Sequence, residues 1–130
     1  MTLQDDDELY FTVGANETWC IDAVLFVDRD GSDHKIKYAI DIPSGSLKVD
    51  VRHFKANGSS VDHEVIISDN TITTTDFPLT TLEPSSTHFN GLIKSGVTGG
   101  TVKIRWTADR LKTEAINVQE LSYLRAYKVN

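Results

Sequence analysis

The residues best placed to do chemistry in this sequence are its acidic runs, its four histidines and its single cysteine. Asp5-Asp6-Asp7-Glu8 sets four carboxylates side by side, enough negative charge to hold a cation or meet a basic partner. The plainer reading is a solvated lead into the first strand, as charge runs commonly are. Asp28-Arg29-Asp30-Gly31-Ser32-Asp33 begins like a calcium loop of the EF-hand type, in which the sixth residue is Gly and the twelfth a bidentate Glu. Here Gly31 stands fourth and Ala39 twelfth, so the segment reads as a hairpin turn. His34, His53, His63 and His88 fall in different predicted elements with no pair at ligand spacing, and are expected at the surface or at sheet rims. Cys20 alone allows neither an intrachain disulfide nor a cysteine-cluster metal site, and on a strand it reads as a small apolar filler. Ser and Thr are abundant, but no Gly-x-Ser-x-Gly elbow mounts a nucleophile. No catalytic residue, cofactor or metal is therefore expected.

Composition narrows the partners. At 130 residues the chain is the size of one domain, which can bury roughly two thirds of its unfolded surface around one core. A net charge of −6 without any dense Lys/Arg patch argues against nucleic-acid binding. No apolar run reaches membrane-spanning length, and Met1-Thr2-Leu3-Gln4 passes straight into the acidic run with no apolar leader. A soluble protein without a signal peptide is expected. Asn16-Glu17-Thr18 and Asn57-Gly58-Ser59 fit the glycosylation pattern, which means little without a leader.

The elements that must position these residues are strands, because apolar residues recur mostly at every second position. Leu9, Phe11 and Val13 share one face. Trp19, Ile21, Ala23, Leu25 and Val27 share another, with Cys20, Val24 and Phe26 opposite, so that strand is either covered on both sides or exposes a patch. Ile36, Tyr38, Ile40 and Ile42 alternate with Lys35, Lys37 and Asp41. After the Pro43-Ser44-Gly45-Ser46 break, Leu47, Val49 and Val51 alternate with Lys48, Asp50 and Arg52. Asn57-Gly58 marks a turn before a strand over 61–68. Residues 69–84 read as a Thr-rich loop, with at most one short strand around Ile72. Strands over 88–95, 101–107, 114–118 and 121–129 complete the set, and 108–115 reads as a loop or single turn. About eight or nine short strands with turn signals every eight to twelve residues predict an all-β fold, a single antiparallel β-sandwich of jelly-roll type. The domain is expected over 9–130, with residues 1–8 as an N-terminal arm. Trp19 and Trp106 read as core anchors more than as sugar-stacking platforms.

The acidic lead-in before Leu9-Tyr10-Phe11-Thr12-Val13 is followed by Ala15-Asn16-Glu17-Thr18-Trp19, Lys35-Ile36-Lys37-Tyr38-Ala39-Ile40 and Pro43-Ser44-Gly45. Later come Asn90-Gly91-Leu92-Ile93, Gly99-Gly100-Thr101-Val102-Lys103-Ile104-Arg105-Trp106 and the closing Ser122-Tyr123-Leu124-Arg125-Ala126-Tyr127. In this order the segments resemble a β-domain of tailed-bacteriophage virion structural proteins, found both as free-standing capsid or tail proteins and inside longer tail fibres. The resemblance spans almost the whole chain and carries no catalytic signature.

That resemblance implies a virion role. Strands filling the chain fit a capsid decoration, or cement, protein better than a fibre with a long shaft. Such a protein, made in the host cytoplasm, would bind the outer surface of the major capsid protein shell as a homotrimer, since closed symmetry is the rule for homo-oligomers. The residues expected at an oligomer or capsid interface are Leu3, Asp5, Asp6 and Asp7 of the arm, and Tyr10, Val24 and Phe26 on faces that alternation assigns outward. The alternative is a tail-fibre, receptor- or glycan-binding module with an exposed aromatic cluster drawn from Phe89, Tyr123 and Tyr127. A third reading, a carbohydrate-active enzyme, requires two carboxylates facing one cleft about 5 to 10 Å apart.

Overall fold

The computed structural model describes residues 4–29, 35–55, 61–79, 84–108 and 116–129, with side chains from residue 9 onward apart from Val61. The described residues contain no helix and form ten strands. These are β1 (Gln4–Val13), β2 (Thr18–Arg29), β3 (Lys35–Asp41), β4 (Ser46–Phe54), β5 (Val61–Ile66), β6 (Phe77–Pro78), β7 (Ser85–Lys94), β8 (Gly100–Ala108), β9 (Ile116–Val118) and β10 (Tyr123–Lys128). One sheet runs β1-β8-β3-β6 and the other β10-β2-β7-β4-β5, with β9 pairing the far end of β2. Every pairing is antiparallel.

Without β9 and β10 the orders are 1-8-3-6 and 2-7-4-5, the wiring of a jelly roll. Among the first eight strands only the β4–β5 hairpin stays within a sheet; every other connection crosses between sheets. The sandwich follows from the alternation. Leu47, Val49, Val51 and His53 of β4 are buried while Lys48 and Arg52 are exposed. Ile36, Tyr38 and Ile40 of β3 meet them from the other sheet, all without solvent exposure. Tyr38 packs edge-on to Phe89, with ring centroids 5.0 Å apart, and lies 5.7 Å from Phe77. Gly91 lets β4 approach β7: a Cβ there would stand 2.2 Å from the Lys48 carbonyl oxygen, so a side chain is excluded.

Several expectations need correction. The short strand of the Thr-rich segment is Phe77–Pro78, and Ile72 lies in none. Residues around it instead line the free edge of β3, where Asn70 N–H donates to Ile40 O (2.8 Å) and Thr73 N–H to Tyr38 O (2.8 Å). This covers an edge that would otherwise stay unpaired. Strand β7 begins three residues earlier than expected, at Ser85, because its inward positions Ser85 and Thr87 are polar and hide the alternation. His53 is not a surface histidine: it has no solvent exposure. Its position two residues beyond Val51 continues the inward series of β4. Residues 4 to 8, expected as an arm, lie in β1, with Gln4 opposite Trp106 and Asp5 opposite Arg105. The expected turns at 30–33 and 57–58, most of the 108–115 segment, and Leu3 lie outside the described residues.

Candidate functional site

The outer face of the six-stranded sheet gathers the chain's polar and aromatic side chains into ordered rows, because antiparallel register places residues from distant segments side by side. In the central row Arg125, Asp22, Asn90 and Asp50 stand in sequence across β10, β2, β7 and β4. The row beside it reads Tyr123, Val24, His88, Arg52 and His63. Phe26, Ser86 and Phe54 form the row beyond, and Tyr127, Cys20, Leu92 and Lys48 the row on the other side.

The polar groups of this face are held by one another. Arg125 donates to Asp22 (2.6 Å), and the Asn90 amide donates to the other oxygen of Asp22 (3.1 Å) and to its neighbour's carbonyl, Phe89 O (3.0 Å). Arg52 donates to Asp50 (2.9 Å), whose second oxygen pairs with His63. His88 stands edge-on to Phe54 at 4.8 Å. Together Asp50, Arg52, Phe54, His88 and Asn90 line an open depression of about 280 Å³. A second depression of about 270 Å³ on the same face, lined by Phe26, Pro84, Gln119, Glu120 and Leu121, is the more apolar of the two.

The expected interface residues are not brought together. Tyr10 is 52% exposed on edge strand β1 of the four-stranded sheet, whereas Val24 and Phe26 belong to the other sheet. Val24, for which an exposed patch and a strand covered on both sides were both open, is buried within the monomer, opposite Tyr123 of β10. Phe26 is half-buried; its N–H donates to Ser122 Oγ (2.9 Å) and its carbonyl accepts from Gln119 N–H (2.7 Å). The C-terminal strands thus cover β2 from the monomer's own chain. Asp5, Asp6 and Asp7 lie along β1, where the chain advances five residues from Asp5 to Tyr10 while β8 advances two from Arg105 to Lys103, a marked bulge. Of the expected aromatic cluster, Tyr123 and Tyr127 are exposed, but Phe89 is a core residue. Trp106 is buried as expected, and Trp19 packs on Phe11 at 5.4 Å.

The face gathers carboxylate, guanidinium, amide and imidazole groups. Asp22 and Asp50 do share it, two strands apart across Asn90, which is roughly 10 Å between backbones. Each is engaged by an arginine. Among the described residues no three His, Cys, Asp or Glu side chains cluster as a metal set. The other polar constellation is internal: Tyr38, Thr87 and His53 are buried and hydrogen-bonded in series between the sheets. Sequence reading missed the depression because Asp50 and Asn90 are forty positions apart; only the outward assignment of Asp50 and Arg52 was there to find. No family model, curated protein or solved structure matches the chain.

Proposed function

We propose that the chain is a non-enzymatic bacteriophage virion structural protein, a capsid decoration protein that assembles as a homotrimer and binds the outer surface of the major capsid shell. The observation that carries this reading is strand β1. It is ten residues long, stands at the edge of its sheet, and pairs β8 alone among the described residues. An edge of that length presents unpaired N–H and C=O groups to any neighbouring chain, and natural proteins cover or blunt such edges. Here the bulge blunts it, while exposed Tyr10 offers the kind of amphipathic ring that anchors interfaces. A partner would turn this guarded edge into a contact. The jelly-roll wiring and the order of segments that resembles virion β-domains support the same reading, which needs buried area and no turnover.

The test is the solution mass by light scattering, then titration onto capsids that lack the protein. A trimer that saturates a fixed number of shell sites is expected. Tyr10→Ala, at an exposed position of β1, should lower occupancy while the circular dichroism spectrum stays the same. A monomer that ignores capsids would overturn the reading.

A further inference from the structure

We propose that the outer face of the six-stranded sheet is a binding site for a neutral oligosaccharide, with one sugar ring seated among Asp50, Arg52, Phe54, His88 and Asn90. The site lies on the sheet that does not contain β1, and so goes beyond the shell-binding reading.

A sugar ring presents hydroxyls around its rim and apolar C–H groups on its faces. Its receptor needs planar polar side chains aimed from the side and a flat apolar group beneath. The depression supplies a carboxylate, a guanidinium and an amide on neighbouring strands, beside the paired rings of Phe54 and His88. These groups are already oriented: Arg52 and His63 fix the Asp50 carboxylate, and Asp22 and Phe89 O take the amide hydrogens of Asn90, leaving its carbonyl oxygen directed the other way. Preorganisation of this kind lowers the ordering cost of binding.

Charge selects among ligands. Arg52 is paired with Asp50 and Arg125 with Asp22, so the two guanidinium groups nearest the depression already face a carboxylate. Shape selects too. The depression is open and joins a face several strands wide, which suits an extended chain more than an enclosed small molecule. A protein partner fits less well, because protein interfaces place apolar residues at the centre and polar ones at the rim. Here the central row is Arg125, Asp22, Asn90 and Asp50, and the exposed tyrosines Tyr123 and Tyr127 stand on edge strand β10.

The experiment is a glycan array printed with neutral oligosaccharides of glucose, galactose, mannose and N-acetylglucosamine beside sialylated, sulfated and uronate-bearing ones, probed with the full chain. Retention on neutral glycans is expected. Titration of a retained glycan into the labelled protein should shift amide resonances of β2, β4 and β7. Asn90→Ala and Asp50→Asn should each weaken binding by about tenfold, the loss of one hydrogen-bonding group, with unchanged thermal melting. Three outcomes would overturn the proposal: no glycan retained at millimolar concentration, retention of acidic glycans alone with steep salt dependence, or undiminished affinity in both variants. Loss of capsid binding on Asn90→Ala would also overturn it, by making the face a protein interface. Glycan binding needs no capsid, so failure here and failure of the shell-binding reading are separately visible.

Discussion

Strands β4 and β7 carry hydrogen-bonded polar residues on both of their faces, under opposite conditions. On the inner face His53 and Thr87 have no solvent exposure, and with Tyr38 they form a chain that runs one way. The Tyr38 hydroxyl bonds Thr87 Oγ1 at 2.8 Å, Thr87 Oγ1 bonds His53 Nδ1 at 2.8 Å, and His53 Nε2 bonds the Pro78 carbonyl at 2.6 Å. Because the carbonyl can only accept, Nε2 carries the proton; Nδ1 then accepts from Thr87, whose oxygen accepts from Tyr38. On the outer face Arg52, Asp50, Asn90 and His88 sit in water's reach, with ionic partners and hydrogen-bonding capacity to spare. Residue type does not separate the two faces, since histidine is on both. Burial does: a buried polar group must be fully matched, whereas an exposed one can exchange water for a ligand.

The sharpest way to break this contrast is to cut the inner chain. Thr87→Val keeps the shape but leaves the Tyr38 hydroxyl and His53 Nδ1 without partners. It should cost about 2 kcal/mol in chemical denaturation, the scale of an unmatched buried group. A stability loss no larger than that of an outer-face substitution would mean that water or relaxation rescues the chain.

Next in size is the response to acid. Burial holds the His53 imidazole below its ordinary value, against the hydrogen bond to Pro78 O that favours the charged form. The unfolded chain therefore takes up a proton at higher pH than the folded one. Stability is complete above the unfolded value near 6.5 and falls as the pH drops below it, by at most about 1.4 kcal/mol per pH unit for one proton. His53→Gln should flatten that segment of the pH profile. Glu64 adds to the loss at lower pH: burial opposes its ionisation, but hydrogen bonds from Thr75 and Thr74 outweigh this and hold its carboxyl below the usual range.

The smallest effect belongs to the outer face. Asn90→Ala and Arg52→Ala should change stability by no more than about 0.5 kcal/mol in the same denaturation experiment, as surface substitutions commonly do. A larger cost would show that the outer row holds the sheet together, and would weaken the contrast from the other side.

The two faces also differ in how legible they were. Alternation of Leu47, Val49 and Val51 with Lys48, Asp50 and Arg52 marks an inside and an outside, and one further step places His53 inward. Asn90 and Asp22, by contrast, meet Asp50 only through the pairings of β7 with β2 and β4. Val24 could be read as exposed or as covered, because nothing local announces that β10, about a hundred residues later, will pair beside it. Strand β6 was missed because two residues carry no period, and β7 was read late because Ser85 and Thr87 face inward.

Strand content, the β-sandwich class and the inward set of most strands were determined by the sequence alone, because side-chain direction alternates within a few residues of extended chain and burial of one face is a local pattern. The jelly-roll order, the covering of β2 by β10 and the convergence of Asp50, Arg52, His88 and Asn90 were decided only by the tertiary structure. Strand pairing is made by backbone groups that are alike in every residue, so the choice of neighbour rests on how the two inner faces pack together, and no single segment contains that information.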